Sequence, residues 1–322
     1  MRTLLSAFAF VTLGLLSSCG GGNESASEPD TGTRYRSYVY ASSDVAQESD
    51  LAYSTRPNMG GMQYTSSLTR DAERDLPTLT MRLDVFEPPL KPGQGNRPLV
   101  VFVHGGGFQA GDKGERADEA VSYARLGYVT ATVNYRLTPD NDTNPVLRQT
   151  AITHATEDLQ NAVRYLKANA ARWSIDVNRV AIVGTSAGGA LALTAAVMGD
   201  PDALEGTESD YDGVSSHVGA VVSTGATLID PLFDSDPLLN YDAADAPVLL
   251  FHVSGKPDSA TGATWEANVL PTKARIDASG NTCEAVPTPE VEHTIKVSVG
   301  SNHWPTIRDF LYRELALAAL PA

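Results

Sequence analysis

Gly184-Thr185-Ser186-Ala187-Gly188 lies between an apolar run, Arg179 to Val183, and a stretch of small residues, Ala187 to Met198. A strand entering this pentapeptide and a helix leaving it would put the serine at the apex of a nucleophile elbow. Such a turn is strained and lifts the hydroxyl above the sheet, and glycines two residues before and after remove side chains that would clash. A serine between glycines is also ordinary turn punctuation. The flanking strand and helix patterns decide for the elbow, and so for nucleophilic chemistry at Ser186.

Working outward, Pro98 to Val103, Val129 to Val133, Val218 to Ser223 and Val248 to Phe251 are short and continuously apolar, as expected of strands covered on both faces. Helical patterns alternate with them. The clearest puts Ile152, Ala155, Leu159, Ala162, Val163 and Leu166 on one face, with Glu157, Asp158, Arg164 and Lys167 largely outward. This alternation predicts an α/β domain with a mainly parallel central sheet, helices on both faces, and a site at the C-terminal ends of the strands.

The run Leu99 to Val103 ends in His104-Gly105-Gly106-Gly107-Phe108. Acyl transfer builds negative charge on a carbonyl oxygen, and backbone N–H groups reach it only where no side chain blocks the approach. Consecutive glycines supply that access. Two nucleotide readings compete. Gly105, Gly107 and Ala110 loosely fit a dinucleotide fingerprint, but the next strand ends in Tyr135-Arg136 without the acidic residue that reading needs. Gly106 with Gly111 has phosphate-loop spacing, but Asp112 precedes Lys113 and Gly114 follows it.

Taken together, His104-Gly105-Gly106-Gly107-Phe108, Asn134-Tyr135-Arg136-Leu137, Asp176-Val177-Asn178-Arg179-Val180 and Gly184-Thr185-Ser186-Ala187-Gly188-Gly189 resemble the α/β-hydrolase superfamily, in its hormone-sensitive-lipase-like and carboxylesterase-type branch. The resemblance runs from about Leu83 to the C-terminal helix. It implies the α/β-hydrolase fold, a Ser, acid, His triad in chain order, and an oxyanion hole at Gly106, Gly107 and Ala187. It also puts the general base late. Of six histidines, His303 lies in a short loop between a strand-like run, His293 to Val299, and an amphipathic stretch, Pro305 to Leu320, which makes it the expected base. His104 is expected to orient the glycine loop.

The acid is less sharply marked. Relatives carry a His-Gly-x-x-Asp turn, whereas here the text is His252-Val253-Ser254-Gly255-Lys256-Pro257-Asp258. A two-residue insertion makes Asp258 the expected acid, with Glu266 the alternative. The span from Asp258 to His303 is long for the family, and its extra residues fall in the Pro-rich segment Glu284 to Glu290.

The N-terminus carries a separate message. Arg2 and the apolar stretch Leu4 to Leu16 precede Leu16-Ser17-Ser18-Cys19, which resembles a bacterial lipobox. By that resemblance residues 1–18 are a lipoprotein signal peptide and Cys19 the lipidated residue. Residues 19–34 form a flexible tether rich in Gly, Ser and Glu, and residues 35–322 the catalytic domain, with an N-terminal extension to about 80. Gly20 after the cysteine suggests the outer membrane in a Gram-negative host. Only Cys283 would remain as a free thiol, so no internal disulfide is expected.

A formal net charge of −15 without a basic stripe argues against nucleic-acid partners. Neither His-x-x-x-His nor Cys-x-x-Cys occurs, so no metal is expected, and the expected chemistry needs no cofactor. The expectation is a lipid-anchored serine carboxylic-ester hydrolase of the cell envelope, acting on small-molecule esters. Amide chemistry by the same triad, as in an arylformamidase or peptidase, and a catalytically silent envelope lipoprotein are the alternatives. Polar loops, Asp200 to Val214 and Asp230 to Ala246, stand where a hydrophobic lid would be sought, which favours short acyl chains.

Overall fold

The structure, a computed structural model, describes residues 34–58, 62–141, 144–197, 210–227, 229–230, 233–234, 241–289 and 293–320. The stretch read as a signal peptide, Cys19, all but Arg34 of the stretch read as a tether, and much of the two polar loops lie outside the described residues. The strands are β1 (Ala46–Pro57), β2 (Thr78–Glu87), β3 (Arg97–Val103), β4 (Val129–Val133), β5 (Ile175–Thr185), β6 (Ala220–Thr224), β7 (Ile229–Asp230), β8 (Phe233–Asp234), β9 (Val248–Val253) and β10 (Cys283–Thr288). The helices are α1 (Ala117–Ala124), α2 (Pro145–Ala168), α3 (Ala170–Trp173), α4 (Ala187–Val197), α5 (Leu270–Ala278) and α6 (Trp304–Glu314). Eight strands make one sheet in the order β1-β2-β4-β3-β5-β6-β9-β10, while β7 and β8 pair separately.

From β4 to β10 every pairing is parallel; β2 runs antiparallel to both β1 and β4. Strand β3 shows why the middle reads as unbroken apolar sequence. Leu99, Val101 and Val103 enter the core on one face, and Val100 and Phe102 the core on the other. The first core is closed by α2 and α4, the second by α1 and α6. Each such side chain, fully buried, contributes roughly 1.5–3 kcal/mol.

Two elements differ from the sequence expectation. On α2 the apolar face is as expected, but Asp158 is fully buried rather than outward, and Arg164 is also buried. Asp158 accepts from the backbone N–H of Arg136 at 2.8 Å and from its Nε at 2.9 Å, with Arg56 Nε 3.5 Å away. A carboxylate tolerates such burial because charged and hydrogen-bonding partners surround it. The second difference concerns the last strand. It is β10, inside the Pro-rich segment read as an insertion, and His293 to Val299 is not a strand. Among the described residues β10 pairs only with β9, so Pro287 sits on an edge strand, where its missing N–H is tolerated.

Candidate active site

The elbow forms where the sequence puts it. β5 ends at Thr185, α4 begins at Ala187, and Ser186 between them has φ +56°, a conformation that L-residues rarely adopt. The turn is tight: a Cβ on Gly184 would lie 1.9 Å from the carbonyl oxygen of Gly188, so only glycine fits. Ser186 N–H donates to Thr224 O at the end of β6 (2.8 Å), and Ser186 O accepts from Ala190 N–H (2.9 Å), which fixes the strained residue from both sides.

The side chain that meets Ser186 is His293. Its Nε2 is 2.7 Å from Ser186 Oγ and its Nδ1 is 2.9 Å from Asp258 Oδ2. The expectation of His303 is corrected: His303 is the N-cap of α6, buried, with its ring 5.1 Å from that of Phe251 in the core beneath α6. The error followed from the strand. Once β10 is the last parallel strand, the first histidine after it is His293, and the acid-to-histidine separation shortens to 35 residues. The long span from Asp258 to His303 was the sequence signal that could have found it.

Asp258 occupies the acid position, buried in the loop after β9. Its Oδ1 accepts from Ala260 N–H (2.9 Å), Thr261 N–H (2.9 Å) and Thr261 Oγ1 (3.2 Å), leaving Oδ2 for the imidazole. Burial alone would raise its pKa. The hydrogen bonds from His293 and from the two N–H groups outweigh burial and hold the carboxyl well below the usual carboxylate range. Glu266, by contrast, is exposed on the turn Trp265–Val269, while Nδ1 of His293 is engaged by Asp258.

His293 rests against a glycine. Gly225 follows Thr224 with φ +70°, and a Cβ there would come within 2.8 Å of His293 O and 3.2 Å of Nδ1. The end of β6 therefore touches both side chains of this pair, through Thr224 O on Ser186 and the bare face of Gly225 on His293.

The glycine loop abuts the elbow. A Cβ on Gly105 would sit 3.1 Å from Ser186 Cβ. Ala187 is the first residue of α4, so its N–H has no partner one turn earlier in the helix. Among the described residues no backbone acceptor takes the N–H of Gly106 or Gly107. The arrangement thus leaves donors beside the serine for an anionic oxygen.

His104 braces this loop, as expected. Its ring is fully buried and stacked on Tyr135 with centroids 4.3 Å apart, and Nδ1–H donates to Gly105 O at 2.8 Å. Burial pushes its pKa down from 6.5 to about 4. Between those values the unfolded chain binds a proton that the folded chain refuses, so stability falls as pH drops from about 6.5 to 4, by about 3 kcal/mol from this residue. Thermal unfolding across that range should therefore show a shallower acid loss in His104→Gln than in the wild type; parallel curves would mean that His104 is not held neutral.

A serine elbow at the end of a parallel strand, joined through histidine to a carboxylate on this eight-stranded sheet, is the architecture of the α/β-hydrolase fold. Residues 83–232, a little under half of the chain, match the family BD-FAE. Esterase LipI of Mycobacterium tuberculosis is 30% identical over 113 residues, covering 35% of this chain and 32% of LipI, so the chain spans about a third of that relative's length. Thermogutta terrifontis esterase 2 in its butyrate-bound form shares the fold with a TM-score of 0.58 at 20% identity, over 83% of this chain and 97% of that one. A truncated carbohydrate esterase from gut microbiota does so with a TM-score of 0.58 at 17% identity, over 84% and 96%.

Proposed function

We propose that this chain is a serine carboxylic-ester hydrolase working through an acyl-enzyme on short-chain esters. The observation that carries the reading is the hydrogen-bonded line from Asp258 through His293 to Ser186. His293 Nε2 takes the hydroxyl proton as Ser186 Oγ attacks the carbonyl carbon, and Asp258 holds the ring in the tautomer that makes Nε2 the acceptor. The N–H groups of Gly106, Gly107 and Ala187 receive the anionic oxygen. The imidazolium then protonates the departing alkoxide, and water repeats the cycle on the acyl-enzyme. Esterase LipI and the butyrate-bound esterase support ester chemistry as the starting assumption.

The same proposal anchors the enzyme to the bacterial cell envelope through a lipid on Cys19, on the strength of Leu16-Ser17-Ser18-Cys19. One experiment addresses chain length, bond type and anchor: cells expressing the full chain are fractionated, and each fraction is assayed with p-nitrophenyl esters from acetyl to palmitoyl and with the matching anilides. Activity should sit with the membranes, favour acetyl to butyryl esters and fall sharply by about C8, as expected where little apolar surface receives a long tail. Cys19→Ser should move that activity to the soluble fraction with an unchanged profile. A palmitoyl optimum overturns the short-chain reading, faster anilide cleavage overturns the ester reading, and equal partitioning of wild type and Cys19→Ser overturns the anchor.

A further inference from the structure

We infer that Arg148 and Asn141 clamp the oxyanion loop, and that Arg148 is a positioning residue for the reaction; the inference rests on the hydrolase reading above. Gly106, Gly107 and Phe108 have φ of +104°, +62° and +60°, three successive left-handed residues of which the third is not glycine. A turn of this kind keeps its shape only where its surroundings hold it. Backbone groups hold two of its carbonyls: Gly106 O accepts from Gln109 and Ala110 N–H, both at 3.0 Å, and Phe108 O from Thr138 N–H at 2.7 Å. Side chains hold the middle one. Gly107 O accepts from Arg148 Nη1 at 2.8 Å and from Asn141 Nδ2 at 3.2 Å.

Both side chains are built in. Asn141 is fully buried and Arg148 is 7% exposed. Asn141 Nδ2 also donates to Thr138 O at 2.8 Å, Arg148 Nη1 donates to Asn141 Oδ1, and the guanidinium lies 5.9 Å from the centre of the Phe108 ring. Arg148 projects from the first turn of α2, whose N-cap is Asn144, so the clamp ties the loop to a helix of the main core. Rotation of the peptide between Gly107 and Phe108 would break these bonds and disturb the adjoining N–H groups on which the anionic oxygen depends. Arg148 thus acts through the loop, and its loss should raise the energy of the tetrahedral state more than that of bound substrate.

The test compares wild type, Arg148→Met and Arg148→Lys for p-nitrophenyl butyrate kinetics, for inhibition by butylboronic acid, which forms a tetrahedral anion on the serine, and for the rate of Ser186 labelling by a fluorophosphonate. Arg148→Met should lower kcat roughly 30- to 100-fold with KM within about threefold, and weaken boronate binding by a similar factor. Arg148→Lys, which keeps one donor for Gly107 O, should recover much of the loss, while a folded Arg148→Met with kcat within about threefold of wild type overturns the clamp. So does a rise in KM alone, which would make Arg148 a substrate contact. If Arg148→Met does not fold, Arg148→Lys decides: a several-fold drop in kcat at constant KM supports the clamp, and wild-type kcat overturns it. Should the wild type be labelled by fluorophosphonate yet hydrolyse no ester, the ester reading fails, and the ratio of labelling rates still tests the clamp.

Discussion

His293→Ala should abolish nearly all turnover, lowering kcat by about 10⁵ to 10⁶, as should Ser186→Ala, and the double variant should lose little more. The reason is the geometry: with Nε2 2.7 Å from Oγ, the imidazole is placed to take the hydroxyl proton. Without it, Ser186 is a neutral alcohol and a poor nucleophile. Two groups serving one proton transfer act as a unit, so their losses are not additive. His303→Ala makes the contrast. It removes a buried ring from beside Phe251 and should reduce thermal stability through lost packing, with kcat of the folded enzyme within a few-fold of wild type. Roughly additive losses for Ser186 and His293, or a collapse of kcat in folded His303→Ala, would mean that the wrong histidine is in the relay.

Asp258→Asn should cost about 10⁴ in kcat while leaving the fold intact, by analogy with the serine-protease triad. The substitution separates the two jobs of this carboxylate. An amide oxygen can still accept from the N–H groups of Ala260 and Thr261, so the loop after β9 keeps its anchor. The amide nitrogen then faces His293 Nδ1, and two donors cannot share that bond. The ring must turn over its tautomer or swing away, and either change denies Ser186 its base. Glu266→Gln, on an exposed turn, should leave kcat within about twofold. Kinetics of the two purified variants with p-nitrophenyl butyrate decide between them; a large loss in Glu266→Gln with little in Asp258→Asn would reassign the acid.

The parts of this molecule legible in the sequence were those specified by local backbone demands and by two-sided burial. Gly184 and Gly188 surround a serine that only that turn accommodates, and the alternation of Leu99 to Val103 between two cores requires a covered sheet. Asp258, which lies beside His293 Nδ1, was named in the sequence through the resemblance, since relatives carry a carboxylate shortly after the corresponding strand. His293 was not reached. Between the buried ends Cys283 and Thr288, β10 carries the exposed Pro287 and the partly buried Glu284, Ala285 and Val286, so it lacks the apolar signature of a central strand, and edge position explains both. With that strand missed, the apolar alternation of Ile295, Val297 and Val299 drew the strand assignment downstream, although these residues pack beneath α6 without pairing. Asp158 was misread for a related reason: helical periodicity sorts residues by polarity, whereas a buried carboxylate is kept by Arg136, a partner 22 residues away in sequence.

The most direct test of the relay is covalent capture of its nucleophile. Wild type, His293→Ala and His303→Ala, each first shown to be folded by circular dichroism, are exposed to a fluorophosphonate, digested and mapped by mass spectrometry. The relay requires a stoichiometric adduct on Ser186 in wild type and in His303→Ala, and almost none in His293→Ala over the same time. Labelling that survives loss of His293 but fails on loss of His303, or that maps to a residue other than Ser186, would contradict it.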